Sequence, residues 1–189
     1  VLNADRFLHS KMANPFLRRL GSTALTVWSR LKSPKQSKEV KVKEEESFPS
    51  GTDPLCEIIM QGFKTVCFRD RAYLNWRLGN PAQSNRLLCA YRGEELAGYL
   101  VFEQAEDSFD IHDCLYLEET VLHTMLSHLE GIARQAKSTS IRFRVNEQCP
   151  LAKNFQKAGY FWSKSEFPLL GRYIQQTSQE LGPELANTL

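Results

Sequence analysis

Apolar residues follow a strand-like period in the middle of the chain. Residues 87–91 and 96–102 are two apolar runs on either side of the polar turn at residues 92–95, which predicts a β-hairpin. Residues 109–115 alternate between apolar and polar side chains and predict a third strand. Strict alternation would point Ile111, Asp113 and Leu115 one way and Asp110, His112 and Cys114 the other.

Helical and strand-like periods then alternate towards the C-terminus. Residues 118–137 place apolar side chains on one face and predict a long core helix. Residues 140–146 alternate and predict a strand that presents Arg142 and Arg144 on one surface. A second helix is predicted over residues 150–158, and a last strand at about 171–175.

A short segment at residues 69–77, Arg-Asp-Arg-Ala-Tyr-Leu-Asn-Trp-Arg, places two aromatic residues among charged ones. Asp70 is expected to cap a helix that ends before Gly-Asn-Pro at residues 79–81. On that helix Tyr73, Trp76 and Arg77 share a side. Two interpretations stay open. The helix is either fixed to a sheet by its tryptophan, with Arg77 paired to a carboxylate, or it forms a wall of a substrate cleft.

The N-terminal third predicts three consecutive units. Residues 1–32 are predicted to be a helical segment, whose part at 15–32 is basic and amphipathic. Docking of that part on another domain is favoured over contact with a membrane surface and over a disordered or marginal helix. Residues 33–52 are rich in Lys, Glu, Ser and Pro and predict a flexible charged linker. The domain proper is predicted at 53–176, before a tail at 177–189. Its first helix is capped by Thr52 or Asp53 and uses Leu55, Ile58 and Ile59 as its apolar face.

Composition narrows the functional classes. A chain of 189 residues, 42% of them hydrophobic, suits one domain with appendages. Its 24 basic and 22 acidic residues leave a net charge of +2 without a clustered basic face, so no nucleic-acid partner is expected. Five cysteines without a C-x-x-C pair indicate reduced thiols of a cytoplasmic protein rather than a metal site. A valine at position 1 indicates a fragment of a longer protein.

Two segments resemble the GNAT acyltransferases. Residues 151–160, Leu-Ala-Lys-Asn-Phe-Gln-Lys-Ala-Gly-Tyr, resemble the second half of that fold, in which an alanine, an aromatic residue and a Gly-aromatic pair recur at this spacing. Residues 69–77 resemble the C-terminal, degenerate domains of tandem bacterial GNAT-family proteins. The resemblance covers about residues 53–175. It implies an α+β fold with a mixed, mostly antiparallel sheet flanked by helices, and an acyl-CoA-dependent N-acyltransferase as the full-length protein.

The sequence departs from the family at two places. GNAT enzymes bind the acyl-CoA pyrophosphate with a Gly-rich loop at the start of the long helix. Here residues 115–120 contain no glycine and no basic residue. Glu118 and Glu119 are expected at the position where the family binds the pyrophosphate. The position of the family's general-acid tyrosine matches Phe155, which has no proton to donate. We therefore expect no cofactor in this chain, and assign acetyl-CoA or another acyl-CoA to the full-length protein.

The favoured functional interpretation is an accessory or substrate-binding half that works with an upstream GNAT domain of the same protein. The alternatives are an intact acyl or aminoacyl transferase with an unusual donor site, and a non-enzymatic interaction module. The substrate is expected to be a polar or anionic small molecule. The residues expected to border its cleft are Tyr73, Trp76, Arg77, His112, Arg142 and Arg144. In the competing interpretation these arginines pair with Asp70, Asp113 or Glu103 and only cover the sheet.

Overall fold

The structure is a computed structural model that describes residues 36–61, 69–78, 84–138, 140–145 and 149–160. Its helices are α1 (Thr52–Met60), α2 (Arg71–Leu78), α3 (Glu119–Gln135) and α4 (Pro150–Lys157). Its strands are β1 (Val40–Glu45), β2 (Asn85–Arg92), β3 (Glu95–Gln104), β4 (Ser108–Tyr116) and β5 (Ser140–Phe143). The helix predicted at 15–32, the strand predicted at 171–175 and the predicted tail lie outside the described residues.

The five strands form one sheet in the order β1-β2-β3-β4-β5. The pairs from β1 to β4 are antiparallel, and β5 runs parallel to β4. The predicted hairpin is β2–β3, whose turn holds Gly93 at φ +63°, a conformation that favours glycine. The prediction of a mixed, mostly antiparallel sheet flanked by helices is confirmed. No helix in the described ranges is both long enough and apolar enough to cross a membrane.

The predicted linker is wrong where the chain forms β1. This strand pairs with β2 along its whole length. Val40 is buried and Val42 packs against the same core, whereas the other side chains of the strand are charged. An edge strand suits such a composition, because charged side chains discourage pairing with further chains. Two valines in six residues gave too weak a period to reveal it, so the sheet begins ahead of the predicted boundary at Asp53.

Helices pack on both faces of the sheet. On the side that we call the α3 face, α3 and α4 bury apolar residues against alternate residues of the strands, including Leu88, Leu100, Phe102, Phe109, Ile111 and Cys114. On the side that we call the α2 face, α1 and α2 pack against Leu87, Cys89, Tyr99 and Val101. Leu55 and Leu74 are the buried anchors of α1 and α2. The prediction for Ile58 is wrong, because its side chain is 58% exposed and the neighbouring Cys56 is buried instead.

The start of α2 follows the sequence prediction. The Asp70 carboxylate accepts a hydrogen bond from the backbone amide of Tyr73 at 2.6 Å. The carbonyl of Asp70 also accepts the amide of Leu74 at 3.0 Å. Asp70 therefore caps the helix and satisfies one of the amides that a helix start leaves without a helical partner.

A β-bulge at His112 changes which side chains of β4 share a face. Two successive residues of β3 lie opposite Ile111 and Asp113, which leaves His112 as an extra residue. As a result Ile111 and Cys114 both lie in the core of the α3 face, and Asp113 lies on the α2 face. The predictions that Ile111 shares a face with Asp113, and that His112 shares one with Cys114, are wrong. A pattern of strict alternation in the sequence does not reveal an inserted residue.

Candidate functional site

The turn from β4 into α3 places two carboxylates at the start of a long helix. Glu118 is the N-cap residue of α3 and Glu119 is its first helical residue. Unpaired backbone amides and the helix dipole make such a start favourable for negative charge. The protein supplies that charge itself, so an external anion would meet two carboxylates.

Both carboxylates are held by cations from other elements. The guanidinium of Arg92, at the end of β2, donates two hydrogen bonds to the carboxylate of Glu118, each 3.0 Å long. Thr120 donates a further hydrogen bond to Glu118 at 3.2 Å. The ammonium of Lys157, on α4, pairs with Glu119. Arg92 and Lys157 are thus each already paired with a carboxylate.

The titration of Glu118 tests this arrangement. Hydrogen bonding to Arg92 lowers the pKa of Glu118 below its usual 4.5. Replacing Arg92 with glutamine is expected to return that pKa towards 4.5, because the largest cause of the shift is removed. Carbon-detected NMR of the side-chain carboxylate measures the midpoint. Lys157→Gln is the matched control and is expected to leave the Glu118 midpoint where it is; an equal midpoint in the wild type and in Arg92→Gln would contradict the ion pair.

The pairing of strands β4 and β5 ends before this turn. Their pairing ends where Ile111 lies opposite Phe143, whereas β4 continues to Tyr116. Among the described residues, the pairing of β4 with β5 therefore stops before the second half of β4. Phe155, the residue that takes the place of the family's tyrosine, is buried on the α3 face and stacks on Phe143 with ring centroids 4.6 Å apart. Its role is to pack the core of the α3 face.

A buried polar cluster on the α2 face centres on Asp113. Arg69 donates to one carboxylate oxygen at 2.6 Å, and the hydroxyl of Tyr99 donates to the other at 3.1 Å. Burial raises the pKa of Asp113, while Arg69 acts in the opposite direction. From the sequence, Asp113 was expected only as a partner for Arg77, Arg142 or Arg144. The available signal was an aspartate in the run at residues 109–115 and a tyrosine in the apolar run at residues 96–102.

The thiols near this cluster are not activated. Cys56 donates a hydrogen bond to the carbonyl of Arg69 at 2.8 Å, and burial raises its pKa to about 11. Burial also raises the pKa of Cys89 to about 12. A thiol with a raised pKa stays protonated at neutral pH and is a poor nucleophile. All four cysteines within the described ranges are free, as predicted for reduced thiols.

The three predicted site residues on α2 lie together. The guanidinium of Arg77 donates to the hydroxyl of Tyr73 at 2.7 Å, and the rings of Tyr73 and Trp76 have centroids 5.9 Å apart. Trp76 is 76% exposed, so the interpretation that it fixes the helix to the sheet is wrong. Leu74 does so instead, because it is the buried side chain of this helix. Arg77 bonds to a hydroxyl rather than to the carboxylate that this interpretation expected.

The other predicted site residues lie on β4 and on or directly after β5. The side chains of His112 and Glu103 are 3.2 Å apart, and Arg142 donates two hydrogen bonds to Asp110 at 2.6 and 2.7 Å. Arg144 follows β5 and is exposed. No hydrogen bond, ion pair or ring contact within the described ranges joins His112 or Arg142 to the group on α2. The partner of Arg142 is Asp110 rather than any of the three acids proposed, and the cleft itself stays a prediction.

The chain resembles known proteins in structure alone. No protein-family profile matches the chain, and no curated protein matches it. A solved structure described as a probable acetyltransferase superposes with a TM-score of 0.51 at 16% identity, over 72% of this chain and 99% of that one. A functionally unknown conserved protein from Staphylococcus epidermidis superposes with a TM-score of 0.50 at 13% identity, over 72% of this chain.

A third structure, described as a probable N-acyltransferase from Enterococcus faecalis, has a TM-score of 0.49 at 16% identity, over 63% of this chain. The matched region spans 30% of the length of that protein and 54% of the Staphylococcus epidermidis protein. The structural neighbours include GNAT-family acetyltransferases, and they share with this chain a mostly antiparallel sheet flanked by helices. The chain therefore has the fold of the GNAT acyltransferases.

Proposed function

We propose that this chain is the accessory, substrate-binding half of an N-acyltransferase, and that an upstream GNAT domain of the same protein binds the acyl donor. The fold supports the acyltransferase part of the proposal. The resemblance of residues 69–77 to the C-terminal domains of tandem bacterial GNAT proteins supports the accessory part. The observation that carries the proposal is the pairing of Glu118 and Glu119 with Arg92 and Lys157 at the start of α3.

The pairing opposes acyl-CoA binding for an electrostatic reason. A diphosphate at the start of α3 would approach Glu118 and Glu119 directly, and like charges at close range repel. The cations that would otherwise attract it, Arg92 and Lys157, are engaged by those carboxylates. Entry of the diphosphate would require both pairs to break and both carboxylates to move away from the favourable end of the helix dipole.

The substrate side of the proposal concerns the α2 face. A polar or anionic small molecule would contact the group formed by Tyr73, Trp76 and Arg77, because exposed aromatic rings beside a guanidinium suit sugars, carboxylates and phosphates. Arg142 contributes less, since Asp110 already neutralises it with two hydrogen bonds. The cytoplasmic location stays a prediction from cysteine usage.

Removing the two carboxylates tests the proposal. The double variant Glu118→Gln, Glu119→Gln is expected to gain at least about tenfold in affinity for acetyl-CoA, equivalent to about 1.4 kcal/mol. The reason is that Arg92 and Lys157 are released and the repulsion is gone. Isothermal titration calorimetry measures the gain. Glu130→Gln, also on α3 but bonded to Arg134, is the matched control and is expected to behave as the wild type; equal affinities in all three proteins would contradict the proposal.

A further inference from the structure

One side of α3 faces away from the sheet. Leu122 and Leu129 lie on the inward side and are buried in the core of the α3 face. Helical spacing places Thr120, Ser127 and Arg134 on the opposite side, which we call the outer face of α3. Within the described ranges, no hydrogen bond, ion pair or ring contact joins these three side chains to a strand or to another helix.

The described part of the chain begins next to this face. Ser37 is the second described residue, and its backbone amide donates to the hydroxyl of Thr124 on α3 at 3.0 Å. Lys32, the last residue of the basic amphipathic segment at 15–32, precedes Ser37 by five residues, which span at most about 18 Å. The segment therefore ends within reach of the first half of α3. As a helix it would be about 27 Å long, against about 26 Å for α3.

One border of the outer face is acidic. Glu119 and Glu130 lie on it, eleven residues apart, with His123 between them. Glu119 pairs with Lys157 and Glu130 with Arg134, and each carboxylate can accept further hydrogen bonds. The Nε2 atom of His123 is buried and has no hydrogen-bond partner among the described residues. A buried ring nitrogen of this kind calls for a polar partner.

The segment at 15–32 has a basic border with the same spacing. In a helix, Arg19 and Arg30 lie along one edge of its apolar stripe and are also eleven residues apart. An antiparallel arrangement places Arg30 opposite Glu119. It also places Arg19 opposite Glu130. In a parallel arrangement the basic border would fall on the other side of α3, away from both carboxylates. The antiparallel direction is also the one that brings the end of the segment close to the start of α3.

We propose that residues 15–32 form a helix that docks antiparallel on the outer face of α3, with Arg19 beside Glu130 and with the apolar stripe turned towards α3. Docking removes that stripe from water. In this alignment Thr26 lies opposite His123, and its hydroxyl supplies the partner that the imidazole lacks. The inference uses contacts within this chain alone, so it does not depend on the acyltransferase function proposed above.

Amide hydrogen exchange of the full chain tests the docking. The amides of residues 20–31 are expected to exchange at least about tenfold more slowly than in a synthetic peptide of residues 15–32, because Gly21 weakens the helix on its own. Glu130→Arg replaces an attraction with a repulsion and is expected to accelerate these amides at least about threefold. Adding Arg19→Glu to that variant is expected to restore the slow exchange. Glu106→Arg makes the same change of charge on the β3–β4 turn and is expected to behave as the wild type.

Four outcomes would overturn the docked helix. The first is exchange in the full chain as fast as in the peptide. The second is an equal rate in the wild type and in Glu130→Arg. The third is failure of Arg19→Glu to restore the slow exchange, which would mean that Glu130→Arg acts by disturbing α3 itself. The last is slow exchange that is lost on dilution of the protein, which would place the segment on a second copy of the chain.

Discussion

Replacing Asp113 with alanine is expected to lower the free energy of unfolding by about 3 kcal/mol, the lower end of the range for breaking a buried ion pair. The substitution leaves the guanidinium of Arg69 and the hydroxyl of Tyr99 without their shared acceptor. The lower end is appropriate because the side chain of Arg69 is 35% exposed, whereas that of Asp113 is 15% exposed. Water can therefore solvate part of the cation that remains.

Urea unfolding measures the loss, and the same strand offers a matched control. Asp110→Ala removes the partner of Arg142, whose side chain is 56% exposed. Surface pairs of this kind contribute at most about 1 kcal/mol, so the control is expected to lose no more than that. Equal losses in the two variants would mean that burial does not distinguish the two aspartates.

The pH dependence of an Arg69→Met variant follows from the same cluster. Burial raises the pKa of Asp113 in the folded protein, and removal of Arg69 takes away the main opposing influence. A folded-state pKa above the unfolded value means that the charged carboxylate destabilises the fold above that pKa. The cost disappears as the pH falls through the raised pKa. The stability deficit of the variant relative to the wild type is therefore expected to shrink from neutral to acidic pH, and a constant deficit would contradict it.

Replacing Gly98 with alanine is expected to lower the free energy of unfolding by about 1 to 3 kcal/mol, because the added methyl group would overpack this position. A Cβ atom there would lie 2.9 Å from the carbonyl oxygen of Leu115 and 2.9 Å from a methyl group of Val121. The first of these is backbone and cannot rotate away. The strain would fall on the β4–α3 turn, which is tied to β3 by a hydrogen bond from the Leu117 amide to the Ala97 carbonyl at 3.0 Å.

The control for Gly98 is another glycine in the same unit. Gly131 lies in α3, and a Cβ atom added there meets nothing within 4 Å. Gly131→Ala is expected to stabilise the protein by up to about 1 kcal/mol, since alanine favours the helix. Thermal unfolding compares the two variants. A Gly98→Ala protein as stable as Gly131→Ala would show that the sheet and α3 are packed less closely than the contacts indicate.

The elements with a strong local period could be predicted from the sequence. Helix α3 was expected at residues 118–137 and forms over Glu119–Gln135, because its apolar residues recur at helical spacing over more than four turns. The β2–β3 hairpin and the Asp70 cap follow from equally local signals. In contrast, β1 could not be predicted, because it carries only two apolar residues. The bulge at His112 could not be predicted either, because it adds a residue that no period reveals.

The candidate site likewise has one part that could be predicted from the sequence and one part that could not. The acidic turn at Glu118 and Glu119 was visible as a departure from the family's loop. Its cationic partners were not, since Arg92 and Lys157 lie 26 and 38 residues away from the carboxylates that they contact. The Arg69 to Asp113 pair, 44 residues apart, was hidden for the same reason. Pairings across a sheet depend on register and strand order, which a local pattern does not contain.

Titration of the wild-type protein with acetyl-CoA by isothermal calorimetry tests the central claim most directly. The acidic turn at the start of α3 is predicted to exclude the diphosphate, so micromolar acetyl-CoA should give no heat of binding. A dissociation constant below about 10 μM, equivalent to about −7 kcal/mol, would contradict the account and favour an intact acyltransferase instead.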